Sequence, residues 1–410
     1  MFAYVNWSRD IIMKSIGLKV NKQQGWVLLI VWLAFLLSFV DRLSLTPILP
    51  MLAKDLSLTA KQAGGFMTAF YMGYVCTQLP GGFLTDKFGY RKVLLSSFLI
   101  MGVFTALMGT VHSYQLGFVY RLLAGAGSGA IFSACMRAIF DWFPPTGRGT
   151  AVGIFMTASS LGLSVVNLFV PTIARDHGWG ASFFLAGLLP IGALLLAVPF
   201  LKENTVVVKG EQGKSTHFAD ILLLLKNRNL MLAAMSGFGA LWATWGTATW
   251  ANTYMNKALG VTLVQAGYFM SLYGLFALFG KPIAGIMNDI LGKRRKLLLA
   301  GILFMFALVL LWFGSNRSVD LLYFLAPLLG VVAFVYSPIM NTMIADFADK
   351  NLIGTATGLV NTIWQMGSLL SPLAVGAVID AGGGNYFYAF ATLAIGPIVA
   401  GAIILAVREN

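Results

Sequence analysis

Twelve stretches of about 20 mostly apolar residues, parted by short polar breaks, constrain this chain more than any other feature. At about 1.5 Å of rise per residue, each is long enough to cross a hydrocarbon core roughly 30 Å thick as a helix. The first six lie near 26–49, 62–85, 93–111, 116–140, 150–171 and 181–201, and the second six near 230–254, 263–287, 297–314, 320–345, 353–377 and 386–407. The only sizeable polar piece, 202–229, falls between the sets and reads as a linker. The expected division is an N-terminal segment at 1–25, a six-helix bundle at 26–201, the linker at 202–229 and a second bundle at 230–407. Composition agrees: 58% of residues are hydrophobic and 10% charged, whereas soluble domains run near 45–50% and about 25%. The apolar surplus has to face lipid, which argues against a soluble enzyme and predicts an all-α membrane protein.

The two sets of spans resemble each other. Gln62, Ala63, Gly64, Phe66 and Met67 recur as Gln265, Ala266, Gly267, Phe269 and Met270, an offset of 203 residues. Gly82, Asp86 and Gly89 recur at the same offset as Gly285, Asp289 and Gly292. Gly149, Thr150, Ala151, Gly153 and Gly162 recur at an offset of 205 as Gly354, Thr355, Ala356, Gly358 and Gly367. Matches in the same order and nearly the same register predict two pseudo-symmetric six-helix bundles, with a binding site between them near the bilayer midplane.

The net charge of +13 would suggest an acidic or nucleic-acid partner in a soluble protein; here it reads as topology. With both termini on the cytoplasmic side, 19 of the 28 Lys and Arg residues fall inside, 5 outside and 4 within the apolar runs. The positive-inside rule therefore predicts a multi-pass protein of the cell membrane with both termini cytoplasmic, contacting the lipid bilayer and no nucleic acid. No cleavable signal peptide is expected, since 1–25 lacks an apolar core with a small-residue cleavage site. Cys76 and Cys135 sit in apolar runs and read as small core residues.

The run containing Gly82, Leu84, Asp86, Gly89, Arg91 and Lys92 resembles the signature loop of the major facilitator superfamily, and its degenerate copy from Gly285 to Arg295 lies where that superfamily carries one. The resemblance implies the major facilitator fold and alternating access. In it Gly82, Asp86, Gly89 and Arg91 act as gating residues, with Asp86 locking the cytoplasmic side in the outward-facing state. Arg137, Asp141, Asp289 and Asp346, near helix ends, are gating or end-capping candidates. Asp41 and Arg42, Tyr74 and Gln78, Arg121 and Gly125, and the run from Asp141 through Arg148 to Ala151 are similar to the anion:cation symporters, which include sialin and the hexuronate and galactonate carriers. One position departs from them: Ser128 stands where those sugar-acid carriers often have a glutamate, which puts a coupling carboxylate there in doubt.

Charges within membrane spans are costly and are functional candidates by default. The interior is lopsided, with Asp41 against Arg42, Arg121 and Lys281. Arginine forks suit carboxylate, sulfonate and phosphate groups, so the expected substrate is a small organic anion, gripped by Arg42 and Arg121 with Lys281 assisting. The competing readings are that the Asp41–Arg42 pair is solvated at a helix end, that Arg121 is likewise near an end, and that Lys281 snorkels along its stem. Tyr71, Tyr74, Gln78, Trp245, Thr249, Tyr336, Asn361, Trp364 and Gln365 are candidates to complete the site, and Trp242, Trp245 and Trp250 suggest an aromatic wall. Asp41 is the candidate proton carrier, with a purely structural salt bridge as the alternative; the three histidines are expected in loops. The expected function is proton- or cation-coupled symport of a carboxylate or sugar acid by a monomer, with a proton or sodium ion as partner. Organophosphate or anion exchange, or drug:proton antiport, are the alternatives. No metal cluster, cofactor motif or catalytic triad is evident in the spans, so no enzymatic activity is expected.

Overall fold

The structure, a computed structural model, describes residues 21–203, 218–291, 295–348 and 352–408. Most of the N-terminal segment and of the linker therefore lies outside the described residues. Among those described, the chain forms twelve long helices: α1 (Lys22–Asp55), α2 (Ala60–Phe88), α3 (Tyr90–Met108), α4 (Tyr114–Trp142), α5 (Pro145–His177), α6 (Trp179–Phe200), α7 (Arg228–Leu259), α8 (Leu263–Leu291), α9 (Arg295–Ser315), α10 (Leu322–Phe347), α11 (Ile353–Ala381) and α12 (Tyr386–Leu405). Ten are long and apolar enough to cross a membrane. The other two, α2 and α7, are diluted by polar and small residues, and α7 is buried along most of its length, so it has little need of a lipid-compatible surface.

Most helices outrun the apolar stretches that announce them. The end signals are polar: Asn21 with Gln24, and Thr59 with Gln62, form reciprocal capping boxes at the starts of α1 and α2, and the Asn227 side chain caps α7. Hydropathy fades at these polar ends while the backbone ladder continues. α5, expected at 150–171, accordingly runs Pro145–His177, which places His177 in a helix rather than a loop. Cys76 is exposed and Cys135 buried, so only the second is a core residue.

Pseudo-symmetry is written in close glycine contacts. A methyl group on Gly125 of α4 would lie 2.0 Å from the Phe70 carbonyl of α2, and one on Gly330 of α10 would lie 2.2 Å from the Tyr273 carbonyl of α8. These pairs are related by the offsets of 205 and 203 seen in the sequence. The seams between the bundles repeat the device. A methyl group on Gly64 of α2 would lie 2.2 Å from the Pro372 carbonyl of α11, and one on Gly267 of α8 2.1 Å from the Asn167 carbonyl of α5. Only residues without a side chain allow helix backbones this close.

The described ends of the chain, 21 and 408, share one face of the bundle, here the terminal face. The seam contacts lie toward the opposite, far face. There Ser164 donates to the Ser271 carbonyl (3.0 Å), Asn252 to Asn167 Oδ1 (2.9 Å) and Thr68 to the Leu369 carbonyl (2.8 Å). Methyl groups placed on Gly149, Gly153 or Gly358, nearer the terminal face, would meet nothing within 4 Å. The bundles thus close on the far face and part toward the terminal face.

The outermost far-face contact is ionic. Both Asp380 carboxylate oxygens accept from the first backbone N–H groups of α2, those of Ala60 and Lys61, each at 2.8 Å. A carboxylate at a helix N-terminus satisfies donors that the helix cannot and complements its dipole. Removing it in Asp380→Ala is expected to weaken far-face closure by about 1 kcal/mol, or roughly fivefold in the ratio of the two facings. Cysteine accessibility or spin-label distances across the far face should report the shift, and unchanged populations would show that the contact is idle.

Candidate functional site

The site begins with a break in α1. The regular helix ends at Leu43, a single 3-10 turn spans Thr46–Ile48, and a further helical turn carries on to Asp55. Pro47 has no N–H to give the Leu43 carbonyl, which accepts instead from the Thr46 hydroxyl (3.0 Å). The Asp41 carbonyl accepts from the Ser44 hydroxyl (2.9 Å) and from Arg121 Nη1 (3.1 Å), and the Arg42 carbonyl from Arg121 Nη2 (2.8 Å). Broken backbone at membrane depth survives only where partners replace the lost hydrogen bonds.

Arg121 of α4 is fully buried, and both of its terminal nitrogens are engaged while its Nε has no hydrogen-bond partner. Besides the two carbonyls it lies 3.7 Å from Asp41 Oδ1, a pair with no exposed side-chain surface, and its guanidinium stands 4.5 Å from the Phe70 ring. Thr105 of α3 donates to the same Asp41 oxygen, while Asp41 Oδ2 is buried with no hydrogen-bond partner. Ser38 and Ser128 share a hydrogen bond of 2.7 Å, so a hydroxyl pair fills the position where a glutamate is missing.

Arg42 is placed differently. It is 2% exposed, which removes the reading of a solvated helix end. Its guanidinium carbon lies 4.4 Å from the Tyr74 ring, 4.7 Å from Phe39, 5.5 Å from Tyr71, 5.8 Å from Trp245 and 5.9 Å from Phe70. Its Nε and the Tyr71 hydroxyl are buried without a hydrogen-bond partner. Among the described residues no carboxylate forms an ion pair with it. Burying an ion costs several kcal/mol, while a cation–π contact returns about 0.5–2 kcal/mol. The rings therefore form a cage around a charge whose burial cost they return only in part.

Lys281 of α8 crosses the other seam: its ammonium donates to Ser159 (3.2 Å) and Ser160 (3.1 Å) of α5 and lies 5.2 Å from the Phe334 ring. Phe334 packs edge-on against Trp245 with centroids 6.0 Å apart, so one strip of rings runs between Arg42 and Lys281.

The remaining candidates divide. Tyr74, Tyr71 and Trp245 surround Arg42, and Thr249 donates to the Trp245 carbonyl one turn away. The Tyr336 hydroxyl shares a hydrogen bond with Thr244. Gln78 Oε1 is buried without a partner, and Asn361 is half-buried. Gln365 accepts from Ser368, and Trp364 donates to the Ala233 carbonyl within the second bundle. The expected aromatic wall does not form from Trp242, Trp245 and Trp250. Trp242 donates to the Thr392 carbonyl of α12 and Trp250 to the Pro372 carbonyl of α11, because at 3.6 residues per turn the three positions fan over an arc of about 140° and meet different neighbouring helices. Phe39, Phe70, Phe334, Thr105, Ser159 and Ser160 complete the arrangement but carry no signal in a sequence with 31 phenylalanines and many hydroxyls.

At the terminal face Arg137 bonds both Asp141 oxygens (3.0 and 3.1 Å) and Asp86 (3.3 Å), all within the first bundle. Gly89 has a φ of +85° and is overlain by the Glu203 carboxylate, so a side chain there would meet both strain and a clash. Arg91 donates to the Val198 carbonyl (2.7 Å), and Gly82 has only one atom, Ser133 Oγ at 3.9 Å, near a virtual methyl. Arg295 bonds Asp346, the counterpart of Asp141 at the offset of 205. The Asp289 side chain lies outside the described residues. Among those described, none of these groups bridges the bundles, as suits a chain parted at this face.

The family model described as Major Facilitator Superfamily matches residues 31–372 and 241–409. The chain belongs to this superfamily. It is 28% identical over 382 residues to the probable sulfoacetate transporter of Cupriavidus necator, covering 88% of this chain and 89% of that one. It is 27% identical over 399 residues to the probable galactarate/D-glucarate transporter of Escherichia coli, covering 86% and 88%. A bacterial homolog of the human lysosomal transporter Spinster, in an inward-facing and occupied conformation, superposes with a TM-score of 0.79 at 16% identity, over 95% of this chain and 98% of that one, and shares the fold. This major facilitator protein is thus a multi-pass membrane transporter and not an enzyme. Its packing yields a stability prediction. Arg121→Ala would strand a buried carboxylate and two carbonyls and is expected to cost about 3–5 kcal/mol, read as a fall in melting temperature in detergent. Asp41→Asn, which keeps an acceptor for Thr105, should cost less.

Proposed function

We propose that the protein takes up a small organic anion, a carboxylate, sugar acid or sulfonate, by alternating access. The observation that carries this is the cage around Arg42: a buried guanidinium ringed by aromatic faces, with no carboxylate paired to it among the described residues. The curated relatives, named for sulfoacetate and for galactarate/D-glucarate, support the same substrate class. Arg42 holds the anionic group and Arg121 sets its position by fixing the backbone carbonyls of Asp41 and Arg42; Lys281 contributes from the second bundle. Both termini are cytoplasmic, so the terminal-face cleft opens inward and the protein works as a monomer in the cell membrane. Asp86, Arg137, Asp141 and the loop around Gly89 form the cytoplasmic gate in the opposite facing, joined by Asp289 and Asp346.

Asp41 carries a coupling proton in this reading. Its unpartnered Oδ2 is a place for the proton, and Arg121 and Thr105 hold the other oxygen. Proteoliposomes test both parts. Arg42→Gln protein, inserted normally, should lose anion uptake by about 100-fold, as expected when a buried charge-assisted contact worth about 3 kcal/mol is removed. Asp41→Asn should still exchange substrate across the membrane but no longer concentrate it when a proton gradient is imposed. Wild-type uptake by Arg42→Gln would end the anion reading, and gradient-driven accumulation by Asp41→Asn would end coupling through this carboxylate.

A further inference from the structure

Lys281 is an intramembrane cation, well away from the helix ends, that neither the broken helix nor the aromatic cage employs. Its ammonium sits on two neutral hydroxyls of the opposite bundle, and the Ser159 hydroxyl already donates to the Met156 carbonyl. The nearest acids on the elements packed around it are engaged or distant. Asp176 on α5 is bound to Arg175 and Asp346 on α10 to Arg295, while Asp289 lies eight residues, about 12 Å of helix, further along α8. Lys281 also marks the point where the bundles part. Two turns toward the far face, Gly274 of α8 packs against Ser164 of α5, whereas two turns toward the terminal face Gly153 of α5 looks onto open space. It therefore stands at the apex of the cleft.

Arg42 and Lys281 stand at the two ends of one strip of rings. Trp245 lies 5.8 Å from the Arg42 guanidinium, Phe334 lies 6.0 Å from Trp245, and Lys281 lies 5.2 Å from Phe334. One cation comes from the first bundle and the other from the second, and among the described residues neither has a carboxylate partner. A ligand with one anionic group can complete only one of these poles. A ligand with an anionic group at each end completes both and ties the two bundles together through its own length.

We propose that the site selects dianions, with Arg42 as the pole for one anionic group and Lys281 as the pole for the other, so that Lys281 sets the charge number of the substrate. This rests on the organic-anion reading above and adds to it. Arg121 plays no part in counting charge, because both of its terminal nitrogens are spent on the backbone of α1.

Matched probes that differ by one anionic group test the idea: glucarate, a six-carbon dianion, against gluconate, its monoanionic analogue, with galactarate against galactonate as a second pair. Binding is read by thermal shift and by uptake into proteoliposomes. Wild-type protein should prefer the dianion of a pair by at least about 10-fold, the size of one charge-assisted contact. Lys281→Met and Lys281→Gln should weaken the dianion by that factor more than they weaken the monoanion, and so erase the preference; Lys281→Arg should keep it. A ligand-free melting temperature in detergent close to that of the wild-type protein certifies that the variants fold. Arg42→Gln should lose both probes. Equal binding of both members of each pair by wild-type protein would leave organic-anion transport standing and overturn charge counting, as would Lys281 variants that weaken both members alike. Wild-type protein that binds none of these anions would bring down the organic-anion reading and this inference with it.

Discussion

The contact on which the site depends is the fork of Arg121 on the backbone of α1. A helix interrupted at membrane depth exposes carbonyls that lipid cannot satisfy, and Arg121 closes two of them while also facing Asp41. Remove that fork and the last turn of the regular helix loses its anchor. Asp41 and Arg42 share that turn, so their directions are set together: one side chain toward Thr105 and α4, the other into the aromatic cage. The arrangement separates two arginines of identical chemistry by what their donors touch. Arg121 is tied to the backbone through both terminal nitrogens, and Arg42 is the one that the proposed function leaves for a ligand.

Glycine contacts make the two bundles comparable, and polar groups make them different. Gly125 on Phe70 and Gly330 on Tyr273 are the same contact drawn twice, as are the seam contacts of Gly64 and Gly267. Repeated close approach packs both bundles alike, as the proposed movement of two bodies about the seams requires. The cations break the equivalence. Lys281 occupies the position that Gln78 holds in the first bundle, and Arg42 has the first bundle's cage to itself.

Much of this is legible in the amino-acid sequence. Span number and repeat offsets follow from hydropathy and identity because burial in lipid tolerates few exceptions, and Asp41, Arg42, Arg121 and Lys281 stand out because charge in an apolar run is expensive. What the residues do is less legible. Arg42 and Arg121 are the same residue type in similar runs, and only the packing of α4 on the break in α1 tells them apart. The break itself is foreshadowed by Pro47 and Pro50, but hydropathy reads straight through it. Three tryptophans in nine residues look like a wall, yet helical rotation sends them to α12, to the cage and to α11. Phe39 and Phe334 are indistinguishable in sequence from core phenylalanines, because their role lies in which charge they face.

The seams suggest why the chain rests in the facing described here. They are related by the repeat, yet their far-face ends differ: Asp380 latches onto the start of α2, and its counterpart at the offset of 205 is Arg175, which pairs with the adjacent Asp176. A carboxylate at a helix N-terminus is attractive, while a cation in that place would be repelled by the same dipole. One seam therefore carries an electrostatic latch and the other depends on Ser164, Asn167 and close backbone packing. Opening the far face breaks a charge–dipole contact on one side and mainly neutral contacts on the other. In the proposed alternating-access cycle, opening then begins at the α5–α8 seam, the seam that Lys281 spans, so an anion that draws Lys281 away from Ser159 and Ser160 would loosen the weaker seam first.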